Sequence, residues 1–103
     1  MPITYEHDKG TLTIKLAGRL DFAKHQSFCD AYSSQAPDSV HHYILDMRDL
    51  TYLDSSALGM LLLLKDFASK SAKISMINCS KDVGKIFEIA NFQQLFEIEN
   101  LRE

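Results

Sequence analysis

The sequence predicts an α/β fold built on a single mixed, mostly parallel β-sheet with helices, in the order ββαβαβαβ. Three observations predict it. Two alternating segments joined by a Lys-Gly turn open the chain, as in a β-hairpin. Apolar strand-like runs then alternate with helical patterns, and each such crossover returns the chain to a parallel strand. The length of 103 residues, 46% of them apolar, suits one compact domain over 1–103 with a real core.

The elements follow in order. Ile3 to His7 alternates as a half-buried strand, and Asp8-Lys9-Gly10 is a turn signal. Thr11 to Ala17 alternates again, with Leu12, Ile14 and Leu16 on one face. Gly18-Arg19-Leu20-Asp21 reads as a break. Phe22 to Gln35 reads as a helix with Asp21 as its N-cap, and Pro37 prevents its continuation. His42 to Met47 is a central strand, and Arg48 to Leu53 a connector whose apolar residues tuck back into the core. A helix runs from Ser56 to about Ser71, and Lys73 to Cys79 is the next strand. Ser80 caps a helix over Lys81 to Ala90, whose Val83, Ile86, Phe87 and Ala90 share one face. Asn91, able to take the left-handed conformation, stops it. Leu95 to Ile98 is a short last strand, and Glu99 to Glu103 a frayed tail.

Composition excludes several functions. The net charge is −3 and no basic tract occurs, which disfavours nucleic acid and anionic membrane surfaces as partners. The longest apolar run, Met60 to Leu64, is far short of the roughly 20 residues a membrane span needs. The N-terminus has no signal-peptide pattern, and Cys29 and Cys79 lack CxxC spacing, so they read as small buried hydrophobes of a cytoplasmic protein. The four histidines form no ligand pattern, and His41-His42 marks a strand entrance. No Gly-x-Ser-x-Gly elbow, Walker or dinucleotide pattern appears. The reading is therefore a non-enzyme with no cofactor and no metal.

The informative stretch is Asp54-Ser55-Ser56-Ala57-Leu58-Gly59, at the junction of an apolar strand and an apolar helix. A serine there is an ordinary helix cap, or a place where a phosphate meets free backbone N–H groups. On a wheel of about 100° per residue, Ala57, Met60, Leu61, Leu64, Phe67 and Ala68 form the buried stripe. Ser55, Leu58, Gly59, Leu62 and Asp66 fall together on an exposed strip. It joins a modifiable hydroxyl to two leucines and a glycine that permits close approach. Either a partner docks there or another part of the chain covers the leucines; docking is preferred.

Gly18-Arg19-Leu20-Asp21, Ile44-Leu45-Asp46-Met47 and Tyr52 to Gly59 resemble the STAS domain of bacterial anti-sigma factor antagonists. Val83 to Phe87 and Leu95 to Ile98 are also similar, so the resemblance covers nearly the whole chain. The Asp-Ser-Ser-x-Leu-Gly segment is its specific part. The resemblance implies a STAS fold and phosphorylation of Ser55 by a partner serine protein kinase that doubles as the anti-sigma factor. It implies that Asp54 is needed at the site and that Asp21 lies near it. It implies further that the unphosphorylated form binds the kinase and that a PP2C-type phosphatase resets the switch. Ser56, one residue deeper, is the rival acceptor; Asp54 and Asp21 also read as helix caps. Three departures stand out: Ala57 where many members have glycine, Asn91-Phe92 where Gly-Leu is common, and an end before the C-terminal helix many members carry, which is expected to leave apolar surface for a homodimer. STAS-like proteins also serve as accessory subunits of ABC-type lipid transport complexes, but those tend to lack the paired serines. A ligand-sensing role finds no residue that names a ligand.

Overall fold

The computed structural model describes residues 3–100. Five strands and three α-helices occur among the described residues: β1 (Ile3–Asp8), β2 (Thr11–Leu20), α1 (His25–Tyr32), β3 (His42–Leu53), α2 (Ser55–Phe67), β4 (Lys73–Cys79), α3 (Lys81–Ile89) and β5 (Glu97–Asn100). The strands form one sheet in the order β1-β2-β3-β4-β5. β1 pairs antiparallel with β2, and every later pair is parallel. The α/β order ββαβαβαβ is therefore observed. The hairpin turns on Lys9 and Gly10, both with positive φ, as a two-residue loop between twisted strands requires.

Because the strands lie side by side in chain order, right-handed crossovers return over the same face each time. The core sits there. Leu12, Ile14, Leu16, Tyr43, Leu45 and Met47 point from the sheet toward Phe28 of α1, Met60, Leu61 and Leu64 of α2, and Phe87 of α3. Their neighbours on the opposite face, including Thr13, Lys15, Ile44 and Asp46, stay half-buried or exposed. Met47, Met60 and Met76 fill the core, and burial pushes the Cys79 thiol up to about 11; Cys29 is only half-buried.

Four regions differ from expectation, each for a local reason. Residues 22–35 are not one helix. Asp21 caps a 3-10 turn, Phe22–Lys24, before α1 begins. The Ser33 and Ser34 hydroxyls donate back to the Cys29 and Ala31 carbonyls where α1 ends. α2 stops at Phe67 because Ala68 is extended, and Ser69 to Ser71 forms a hydrogen-bonded turn. A 3-10 turn, Phe92–Gln94, draws the Leu95 and Phe96 N–H groups to the Phe92 carbonyl, so β5 starts two residues later than expected. β5 also takes in Glu99 and Asn100 of the expected tail; its last three residues lie outside the described ones.

The fourth difference shapes the site. Gly18 to Leu20 is not a break and Arg48 to Leu53 is not a connector: both are strand, β2 and β3 continuing as a pair. The register slips twice, between Lys15 and Ala17 and between Gly18 and Arg19, each time with one extra residue on β3. These bulges place Met47, Leu50 and Leu53 on the core side at a spacing of three instead of two. Gly18 takes φ +74 at the second slip, which glycine adopts without strain. The β2–β3 ribbon thereby runs beyond the β3–β4 pairing, which ends at Asp46.

Candidate functional site

The ribbon ends where Leu20 pairs with Leu53. Asp21 and Asp54 follow these two residues and so sit at adjacent strand ends. Asp54 is extended and N-caps α2. Its Oδ1 accepts from the Ala57 N–H at 3.0 Å and from the Ser56 hydroxyl at 2.6 Å. These two bonds, the Ser56 hydroxyl first, hold the Asp54 carboxyl below its ordinary value.

Ser55 is thus not the cap. It is the first residue of α2, exposed, and its hydroxyl makes no hydrogen bond among the described residues. Ser56 is half-buried and its hydroxyl proton is committed to Asp54. Asp21 is a cap as expected, but of the 3-10 turn: its Oδ1 accepts from the Ala23 N–H at 3.1 Å. Its Oδ2 lies 3.7 Å from Arg19 Nε, and the Arg19 guanidinium stands 4.4 Å over the Tyr52 ring.

Along α2, Ala57, Met60, Leu61 and Leu64 are buried as the wheel requires, while Phe67 and Ala68 are half-buried. Gly59 and Asp66 are exposed, and Leu62 is 42% exposed. Leu58 corrects the expected strip: it is half-buried and packs against the core. Leu63, which sequence reasoning passed over, is 47% exposed in its place. The wheel puts Leu58 and Leu63 at roughly 110° on either side of the buried stripe, so the signal was there; only the fold decides which flank is covered. A Cβ built on Gly59 meets nothing within 4 Å. No packing inside the chain calls for glycine at this position.

Two aromatics expected to face inward, Phe22 on a packed helix face and Tyr52 in a connector tucked into the core, are exposed instead. Phe22, 71% exposed, stacks on the His25 ring with centroids 5.5 Å apart, and Tyr52 lies under Arg19. Both flank the strand ends that carry Asp21 and Asp54. The arrangement can offer a free hydroxyl, two carboxylates and an apolar helix face to another protein. No His, Cys, Asp and Glu group able to hold a metal occurs among the described residues, and no helix is long and apolar enough to cross a membrane.

Comparison with known proteins places the chain. The STAS domain model matches residues 2–103. A STAS-domain containing protein of Pseudomonas aeruginosa is 54% identical over 92 residues, covering 88% of this chain and 90% of that protein. The anti-sigma F factor antagonist of Paenibacillus polymyxa is 25% identical over 104 residues, covering 95% of this chain and 86% of its own length. The solved anti-sigma factor antagonist SpoIIAA superposes in its unphosphorylated form with a TM-score of 0.72 at 20% identity, covering 98% of this chain and 89% of that one. Its phosphorylated form gives 0.66 at 20% identity, covering 93% and 89%. The chain belongs to the STAS domain family, and it shares its fold with the family's anti-sigma factor antagonists.

Proposed function

We propose that this chain is a partner-switching regulator of the anti-sigma factor antagonist type, controlled by reversible phosphorylation of Ser55. Unphosphorylated, it docks an anti-sigma factor that is also a serine kinase, through Asp21, Asp54, Ser56, Gly59, Leu62 and Asp66, with Leu63 joining and Leu58 contributing its exposed part. A PP2C-type phosphatase restores that state. The observation that carries the reading is the exposed, unbonded Ser55 hydroxyl at the head of a helix whose outer face bears Gly59, Leu62 and Leu63. The solved relative SpoIIAA exists in both an unphosphorylated and a phosphorylated form, which supports it. The chain binds and switches; no catalytic role is assigned to it.

The physics favours repulsion over refolding. A phosphate adds about −1.5 to −2 charges. At the start of α2 it meets the positive end of the helix dipole, worth roughly 0.3–1 kcal/mol. The Ala57 N–H is already taken by Asp54, and two carboxylates stand nearby, so the gain falls at the low end. The domain keeps its structure. A partner packed over Leu62 and Leu63 has instead to bury or repel a dianion, at a cost of several kcal/mol. That changes affinity by orders of magnitude.

The experiment is a pull-down of the wild type and Ser55→Asp from the native host, with circular dichroism of both. The expected result is loss of the kinase partner with an unchanged spectrum and melting temperature. A Ser55→Asp protein that is grossly unfolded, or that holds the partner as well as wild type, contradicts the proposal.

A further inference from the structure

The two serines of the motif have different surroundings, and the difference gives Ser56 a task of its own. Its hydroxyl donates to Asp54 Oδ1 at 2.6 Å, and the same oxygen accepts the Ala57 N–H at 3.0 Å. Two hydrogen bonds to one oxygen restrain the rotation of the carboxylate. Its second oxygen, Oδ2, accepts no side-chain hydrogen bond among the described residues. Ser55 beside it is exposed, with its hydroxyl unengaged. The hydrogen bond to Ser56 also disfavours protonation of Asp54, so the carboxylate, Oδ2 included, stays anionic.

We infer that Ser56 is a positioning residue for the modification of Ser55: by pinning Asp54 through Oδ1, it presents Oδ2 to the divalent cation that accompanies an incoming ATP. The inference rests on the proposed function. In the transfer, the γ-phosphoryl forms its new P–O bond to Ser55 Oγ as the bond to ADP breaks. The hydroxyl proton leaves to a base of the kinase. Asp54 takes no part in that exchange; it fixes the cation, and through it the donor, relative to Ser55. Ser56 touches neither. Its committed proton and half-buried position also make it the poorer acceptor of the two.

The test measures initial rates of Ser55 phosphorylation by the kinase isolated from the native host, with ATP and protein varied separately, and locates the phosphate by mass spectrometry. Losing the outer partner of an anionic ligand typically costs roughly 10- to 100-fold in activity. Ser56→Ala is therefore expected to lose that factor in kcat, whatever the loss of its docking contact adds to KM for the protein. Ser56→Thr, which keeps a hydroxyl, is expected to recover most of it. Ser80→Ala removes the hydroxyl N-cap of α3, which accepts the Val83 N–H away from the site. It controls for lost stability and is expected to react at the wild-type rate. A wild-type rate for Ser56→Ala, or a slow Ser80→Ala, overturns this inference alone. No phosphate on wild-type Ser55 overturns the proposed function with it.

Discussion

Gly59→Ala separates what the chain needs from what a partner needs. Glycine inside a helix is less favourable than alanine by about 0.8–1.0 kcal/mol. At Gly59 nothing repays that cost internally: the residue is exposed, its φ is ordinary, and a Cβ would meet no atom within 4 Å. The alanine variant is therefore expected to be more stable by about 0.8–1.0 kcal/mol, which for a chain of this size raises the melting temperature by about 4–8 °C. The added methyl stands beside Leu62 and Leu63, three and four residues on, on the proposed docking face. Overpacking a close contact costs about 1–3 kcal/mol, which is roughly a 5- to 150-fold loss of affinity. Thermal melts followed by circular dichroism read the first effect, and calorimetric titration with the purified partner reads the second. An unchanged or lower melting temperature refutes the argument about the helix. Unchanged affinity refutes the placement of the docking face over Gly59.

Two further predictions concern the fold. The Tyr43 hydroxyl is buried without a hydrogen-bond partner among the described residues. Tyr43→Phe, which keeps the ring and removes the orphan group, is expected to be neutral or stabilising by up to about 1–3 kcal/mol in urea unfolding; a clear loss of stability contradicts this. His42 lies within 2.9 Å of the Ser75 hydroxyl, and burial, then Lys73, lowers its pKa from 6.5. As pH falls below about 6.5 the unfolded chain takes up this proton first, so stability drops until the folded pKa is passed and then levels off. Urea midpoints between pH 8 and pH 5 are expected to show that drop in wild type and less of it in His42→Gln. Equal slopes in the two proteins contradict the assignment.

The sequence carried the element order because periodicity and turn chemistry are local. Lys9-Gly10, Ser80 and Asn91 each act within a few residues, and each does in the structure what its chemistry suggests. The β2–β3 ribbon was hidden for an equally definite reason. Two bulges change the apolar spacing of Met47, Leu50 and Leu53 from two to three, and an isolated segment with that spacing does not read as strand. Bulges depend on the partner strand, which one segment cannot reveal. The exposed serine at the head of α2 was legible from the strand–helix junction, but the division of labour between the two serines was not. It depends on which rotamer Asp54 adopts once α2 forms. Leu58 and Leu63 make the same point: they are nearly symmetric on a helical wheel, and only the packing of α2 covers one and exposes the other. Phe22 and Tyr52 were expected to face inward; a 3-10 turn at Phe22 and the continuation of β3 through Tyr52 turn both to the surface.

The most direct test is the affinity of stoichiometrically Ser55-phosphorylated protein for its kinase partner, measured beside the unphosphorylated form with amide NMR spectra of both. The account predicts binding weaker by at least about 100-fold, the consequence of several kcal/mol of uncompensated charge, with spectral changes confined to the start of α2 and the strand ends at Asp21 and Asp54. Equal affinity of the two forms, or a phosphate that reshapes the whole spectrum, contradicts it.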